Sequence, residues 1–112
     1  MTVKRGDLYL ASLDPAVGRE IRKTRPVVIV SNDVGNRFAG TVTVVPVTSQ
    51  GLQKIYPFEA FLPVASGLEK DSKAKADQVR TLDKSRLAQK LGALDDALMR
   101  DVDRALRIHL DL

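Results

Sequence analysis

Lys23-Thr24-Arg25-Pro26 runs directly into Val27-Val28-Ile29-Val30, and this junction constrains the fold more than any other stretch of the chain. Proline fixes its own φ and pushes the residue before it toward extended backbone. The β-branched run that follows favours the same conformation. The junction therefore predicts a buried strand from Arg25 to Ser31, with Arg25 at its mouth and facing a surface. A second strand is expected from Gly40 to Ser49, where Thr41 and Thr43 alternate with Val42 and Val44. It ends in Pro46-Val47-Thr48-Ser49, bringing two hydroxyls and Gln50 toward the same sheet edge. A cation beside hydroxyls suits a phosphate.

The rest of the chain reads as strands first and helices last. Asp7 to Leu13 is a short apolar strand, Asp14 to Gly18 has turn chemistry, and a basic loop leads to Arg25. Asn32 to Gly40 reads as a polar loop. Further strands are expected over Phe58 to Val64 and Ala76 to Leu82, the latter with Gln78 and Arg80 on one face. Asp83 is placed to cap a short helix from Lys84 to Leu91, with Gly92 as its stop. Leu94, Leu98, Val102, Ala105, Leu106 and His109 or Leu110 recur at helical spacing behind leading aspartates, which predicts an amphipathic helix packed on the sheet.

At 112 residues the chain has the length of one domain, residues 1–112. Apolar residues make up 44% and charged residues 29%, a globular balance. No apolar run reaches the length of a membrane span and Met1 to Arg5 carries no signal-peptide stretch, so the expectation is a cytoplasmic protein with no membrane partner. With no cysteine and one histidine, His109, thiolate and histidine-cluster metal sites are excluded and a metal enzyme would have to rely on carboxylates; the expectation is no metal or cofactor. The net charge is +4; residues 93–112 hold three arginines and five aspartates, a balance of −2, which leaves +6 for the strand-rich part. Arg19, Arg22, Lys23 and Arg25 crowd one window against Glu20 alone. A polyanion fits such a cluster because each neutralised phosphate releases counterions; a solvated loop is the plainer alternative.

Several candidates yield to simpler readings. Arg5-Gly6-Asp7 is the turn that launches the first strand rather than an adhesion motif. His109 is packing or surface, and the aspartates of the last helix offset its dipole and pair with its arginines. Phe58 and Phe61 are assigned to the core, with Tyr56 left open between core and base stacking. No Ser-His-Asp or Cys-His arrangement and no phosphate-cradling glycine motif is visible. The candidate set is then Arg25, Thr48, Ser49, Gln78 and Glu20, which lacks an obvious base near neutral pH. Such a set suits a substrate that supplies its own nucleophile, as RNA does with its 2′-hydroxyl.

The ordered series Lys4-Arg5-Gly6-Asp7-Leu8-Tyr9, Asp14-Pro15, Gly18-Arg19-Glu20 and Arg25-Pro26-Val27-Val28-Ile29-Val30 resembles the opening of the MazF/PemK family of bacterial toxin ribonucleases. It continues through Asn32-Asp33, Asn36-Arg37, Pro46-Val47-Thr48-Ser49, Asp77 to Asp83 and the terminal helix. Each motif is short, and the specificity lies in their order along nearly the whole chain. The resemblance implies an α+β fold, an SH3-like small β-barrel with helices packed on it. It also implies a homodimer that cuts single-stranded RNA at short motifs without a metal and is neutralised by a MazE-like antitoxin with an acidic tail. By matching position, Arg25 and Thr48 become the catalytic pair, while Glu20, Asn32 and Gln78 contact RNA. The loop from Asp14 to Thr24 is expected to order over the substrate. Arg19 and Lys23 in that loop, and Ser49 in the variable segment reaching to Tyr56, complete the expected RNA-binding set. Two rival classes share the fold or the charge: a CcdB-like gyrase poison, which needs no Arg25 and Thr48 pair, and a noncatalytic nucleic-acid-binding module, for which the basic loop suffices.

Overall fold

The computed structural model describes residues 2–112. Seven strands and two α-helices follow one another as β1 (Asp7–Ser12), β2 (Thr24–Ile29), α1 (Asp33–Phe38), β3 (Thr41–Thr48), β4 (Glu59–Leu62), β5 (Ser72–Lys75), β6 (Arg80–Asp83), β7 (Leu87–Ala93) and α2 (Asp96–Leu110). Every strand pairing is antiparallel. The sheet runs β4-β5-β3-β2-β1-β7, and β6 also pairs with β3, so the path is open with β4 and β7 at its ends. β3 is the organising strand: β2 lies along one side, while β6 takes Thr41–Val44 and β5 takes Val47 and Thr48 on the other.

Alternate residues of a strand point to opposite faces, and here both faces of β1, β2 and β3 are buried. Leu8, Val28, Val45 and Val47 join Leu62, Met99 and Val102 in a core beneath α2. Tyr9, Val27, Ile29, Val42 and Val44 join Leu82 and Leu87 in a second core on the other side. Two-sided burial explains why Val27 to Val30 and Val44 to Val47 read as continuous apolar runs instead of alternating ones. Two register shifts between β1 and β7 let the edge strand bend. The Arg5-Gly6-Asp7 segment is the expected turn: Gly6 has φ +92, its N–H donates to the Ile29 carbonyl at 2.7 Å, and Asp7 accepts from the Lys4 N–H at 2.9 Å.

Four segments depart from the sequence reading. The polar stretch Asn32 to Gly40 contains α1, a single short helix in which the Asn32 side chain accepts from the Gly35 N–H at 2.7 Å. Asp83 does cap, accepting from the Ser85 N–H at 2.9 Å, but it starts only a 3-10 turn, Lys84–Arg86, before β7. Gly92 is therefore no helix stop. It lies opposite Leu8 in β7, where a β-carbon would meet the Ser66 carbonyl at 3.2 Å. Ala76–Gln78 is a 3-10 turn and only Arg80–Asp83 forms β6, so Gln78 and Arg80 do not share a strand face. β5, Ser72–Lys75, has no counterpart in the sequence reading, because its lysines resemble a surface rather than a strand. Among aromatics, Phe61 points outward at 41% exposure, Phe58 is half-buried, and Tyr56 stacks on Phe58 with ring centres 5.4 Å apart. α2 forms as expected, capped by Asp95 and burying Met99, Val102 and Ala105, with His109 and Leu110 exposed beyond its packed stripe.

Candidate nucleic-acid interface

Arg25 lies opposite Ala11 of β1, near the start of β2. On its other side β2 pairs with β3 from Val27 and Pro46 to Ile29 and Val44, so Arg25 and Thr48 both lie just beyond the end of that ladder. Arg25 is half-buried, and its one side-chain hydrogen bond among the described residues runs from Nε to the Arg22 carbonyl at 3.1 Å. That bond orients the guanidinium while leaving its terminal nitrogens for a ligand. Thr48, also half-buried, accepts from the Gln50 N–H at 3.2 Å, so its hydroxyl proton stays available to an acceptor. Ser49 next to it is exposed.

Two clefts flank this end of the β2–β3 ribbon. One, of about 390 Å³, is lined by Arg25, Val47, Ser49, Lys70 and Gln89 among others. The other, of about 460 Å³, is lined by Glu20, Pro46, Gln78 and Arg80 among others. Val47 and Pro46, successive residues of β3, each line one of them, so the clefts lie on opposite faces of the ribbon. Arg25 and Ser49 thus share one cleft and Glu20 and Gln78 the other, while Thr48 lines neither. Asn32 lies apart from both: it caps α1 beyond the far end of β2, seven residues from Arg25, which at ~3.3 Å per residue is on the order of 20 Å away.

The basic loop between β1 and β2 is stitched at its base. Leu13 N–H donates to the Lys23 carbonyl at 2.8 Å, and Asp14 accepts from the Lys23 N–H at 3.2 Å, with Lys23 at φ +72. Further out, Glu20 accepts from the Val17 N–H at 2.6 Å and Arg22 donates to the Gly18 carbonyl at 2.7 Å. Gln78 accepts from the Ile21 N–H at 3.3 Å, tying the loop to the 3-10 turn before β6. Arg80 and Arg86 hold the same base through the Leu13 and Ser12 carbonyls at 3.1 and 3.3 Å. Arg19 and Lys23 remain exposed on the loop.

The sequence reading missed a second layer behind Thr48. Lys73 pairs with Thr48 in the β3–β5 ladder. Its ammonium is 3.0 Å from Glu59, whose other oxygen is 3.0 Å from Lys75. Burial pushes the Glu59 carboxyl up, but the Tyr56 N–H and the two lysines more than offset this and hold it below the ordinary carboxylate value. No signal for this cluster exists without knowing that β4 pairs with β5. Asp33, in the first turn of α1, is lowered by the Arg5 N–H and Asn36, and Asp83, a cap, by Ser85. Among the described residues no three His, Asp or Glu side chains form a metal-holding group.

Residues 4–110 match the family model described as PemK-like, MazF-like toxin of type II toxin-antitoxin system. The chain belongs to that family. It is similar to Endoribonuclease EndoA of Bacillus subtilis, with 44% identity over 100% of this chain and 97% of that protein. Among solved structures it resembles MazF from Deinococcus radiodurans, with TM-score 0.87, 30% identity, and coverage of 100% of this chain and 99% of the other. It also resembles an endoribonuclease in complex with its cognate antitoxin from a Mycobacterial species, with TM-score 0.83, 27% identity, and coverage of 98% and 96%. Among the described residues no helix is long and apolar enough to cross a membrane.

Proposed function

We propose that this MazF-like toxin is a sequence-specific endoribonuclease that cleaves single-stranded mRNA and so arrests translation, and that a cognate MazE-like antitoxin neutralises it. The observation that carries the reading is Arg25 at the start of β2, lining a cleft with Ser49 and Lys70 next to the end of β3 that carries Thr48. The ribose 2′-hydroxyl attacks the adjacent phosphorus as its proton passes to solvent, the P–O5′ bond breaks, and the products are a 2′,3′-cyclic phosphate upstream and a free 5′-hydroxyl downstream. Arg25 stabilises the charge that builds on the phosphoryl oxygens and donates a proton toward the leaving oxygen. Its guanidinium carries donors and no acceptor, so it is assigned no base role. Thr48 donates to a nonbridging oxygen. Glu20, Gln78, Ser49, Arg19 and Lys23 contact the RNA, and Asn32 does so only with nucleotides reaching α1 or across a dimer.

In this reading residues 1–112 form one toxin domain, the fold is of the SH3-like small-barrel class with helices packed on it, and the protein is a cytoplasmic homodimer. The groove cations that hold RNA also suit an acidic antitoxin segment. Incubation with single-stranded RNA in excess EDTA tests the proposal. Cleavage of RNA but not of the matching all-deoxy strand is expected. Cutting of both strands overturns the internal-nucleophile mechanism. Binding without cutting points to a noncatalytic module, and neither binding nor cutting to a gyrase poison.

A further inference from the structure

The segment that leaves Thr48 and returns at Glu59 has little to hold it. Residues 49–51 and 53–57 are exposed, with Leu52 only half-buried. Arg104 of α2 fixes the exit, donating to the Pro57 carbonyl at 2.8 Å and the Glu59 carbonyl at 3.2 Å. The middle is held by Lys73. Its side chain is buried, the residue being 5% exposed, and its Nζ donates to the Gly51 carbonyl at 2.9 Å, the Lys54 carbonyl at 3.2 Å and Glu59 Oε1 at 3.0 Å. Three protons meet three acceptors, so the ammonium is fully used. The same Glu59 oxygen accepts from the Tyr56 N–H at 3.0 Å, which fixes the returning end. Gly51 holds a left-handed conformation, φ +69, that strains any other residue, and an added β-carbon would make ordinary contact with Nζ at 3.4 Å.

Burying an ion pair is a weak source of stability, since apolar residues of similar volume commonly do as well. What apolar residues cannot do is direct two loop carbonyls to one point. Lys73 is also the ladder partner of Thr48, so the anchor sits one strand away from the hydroxyl at the loop's root. We infer that Lys73, held by Glu59, is a positioning residue that fixes the 49–56 segment so that Thr48 and Ser49 face Arg25; the inference rests on the nuclease reading above. It touches no substrate. Loss of the anchor lets the loop drift, and a misplacement of about 1 Å can cost on the order of 10²-fold in rate.

The test compares the full-length parent with Lys73→Met and Gly51→Ala, using a single-stranded RNA that the parent cuts. Amide hydrogen exchange is measured alongside single-turnover cleavage and RNA affinity. In Lys73→Met, exchange is expected to quicken over residues 50–56 while β1 to β3 keep their protection, and the cleavage rate to fall ~10- to 10²-fold with affinity much less affected. Gly51→Ala, an exposed position with no core to disrupt, is expected to move both readouts in the same direction. It carries the comparison if circular dichroism shows Lys73→Met unfolded. Unchanged exchange in the loop overturns the anchoring role. Quickened exchange with an unchanged cleavage rate overturns the positioning role and leaves a structural one. A parent that cuts no RNA overturns the nuclease reading and the positioning role with it, while the exchange pattern still decides whether Lys73 holds the loop.

Discussion

Arg25 and Thr48 are placed by backbone rather than by core packing: one precedes a proline at the start of β2, the other closes β3, and both are only half-buried. Arg25→Ala and Thr48→Ala should therefore keep the circular dichroism spectrum of the parent and each lose ~10²–10³ in single-turnover rate, the usual cost of one preorganised electrostatic contact. Arg25→Lys should not rescue, because it keeps the charge but loses the planar fork that holds two phosphoryl oxygens. Parental cutting by Arg25→Ala would remove Arg25 from the mechanism. Glu59, 1% exposed, gives a separate prediction about acid. Its folded-state pKa lies below the ordinary 4.5, so its contribution to stability is present above that value and is lost as pH falls through the folded pKa. In urea titrations, the stability gap between parent and Glu59→Gln should be widest near neutrality and shrink below pH 4.5. A gap independent of pH would mean that the carboxylate is not ionised in the fold.

Gly67 shows how the 3-10 turn at Val64–Ser66 is fitted over β7. It has φ +108, and a β-carbon there would meet the Leu91 carbonyl at 2.9 Å. Gly67→Ala is expected to cost ~1–3 kcal/mol in backbone strain alone, read as a lowered denaturation midpoint; an unchanged midpoint would show that the turn can lift off β7. This element was also among the least legible. β2, β3 and α2 could be read because proline, β-branched runs and helical periodicity are local signals, and with them came Arg25 and Thr48. β5 and β7 could not, since Ser-Lys-Ala-Lys and Leu-Ala-Gln-Lys-Leu-Gly-Ala form strands only through long-range pairing with β4 and β1. Lys73 went unseen as a buried residue for the same reason. Asn36 likewise looks like loop sequence, yet it is buried, donating to the Ser31 carbonyl at 2.9 Å as part of a helix too short to show periodicity.

Across the whole molecule the cations differ in where they sit. On α2 the expected pairing of aspartates with the helix's own arginines is met only by Asp101 and Arg104; Asp103 pairs with Arg5 instead, and among the described residues Asp96, Arg100 and Arg107 enter no ion pair. Among the described residues Arg19 and Lys23 enter none of the ion pairs. Their cations sit exposed on the loop that Gln78 tethers beside the Glu20 cleft. An unpaired cation on a tethered loop can neutralise a phosphate without first breaking an existing bond, and each phosphate so neutralised on a single strand adds ~0.7 to the slope of log affinity against log salt. RNA binding by the parent should therefore weaken steeply with salt. Replacing Arg19 and Lys23 together by alanine should make the slope shallower by ~0.7 for each phosphate that is no longer neutralised. Arg107→Ala, at an exposed position on α2, should leave the slope as it was. Fluorescence anisotropy of a labelled single-stranded RNA over a salt series measures all three, with an Arg25→Ala background to prevent cutting. A parental slope in the double variant would show that the loop does not follow the RNA backbone, and a shallower slope in Arg107→Ala would move the phosphate track onto α2.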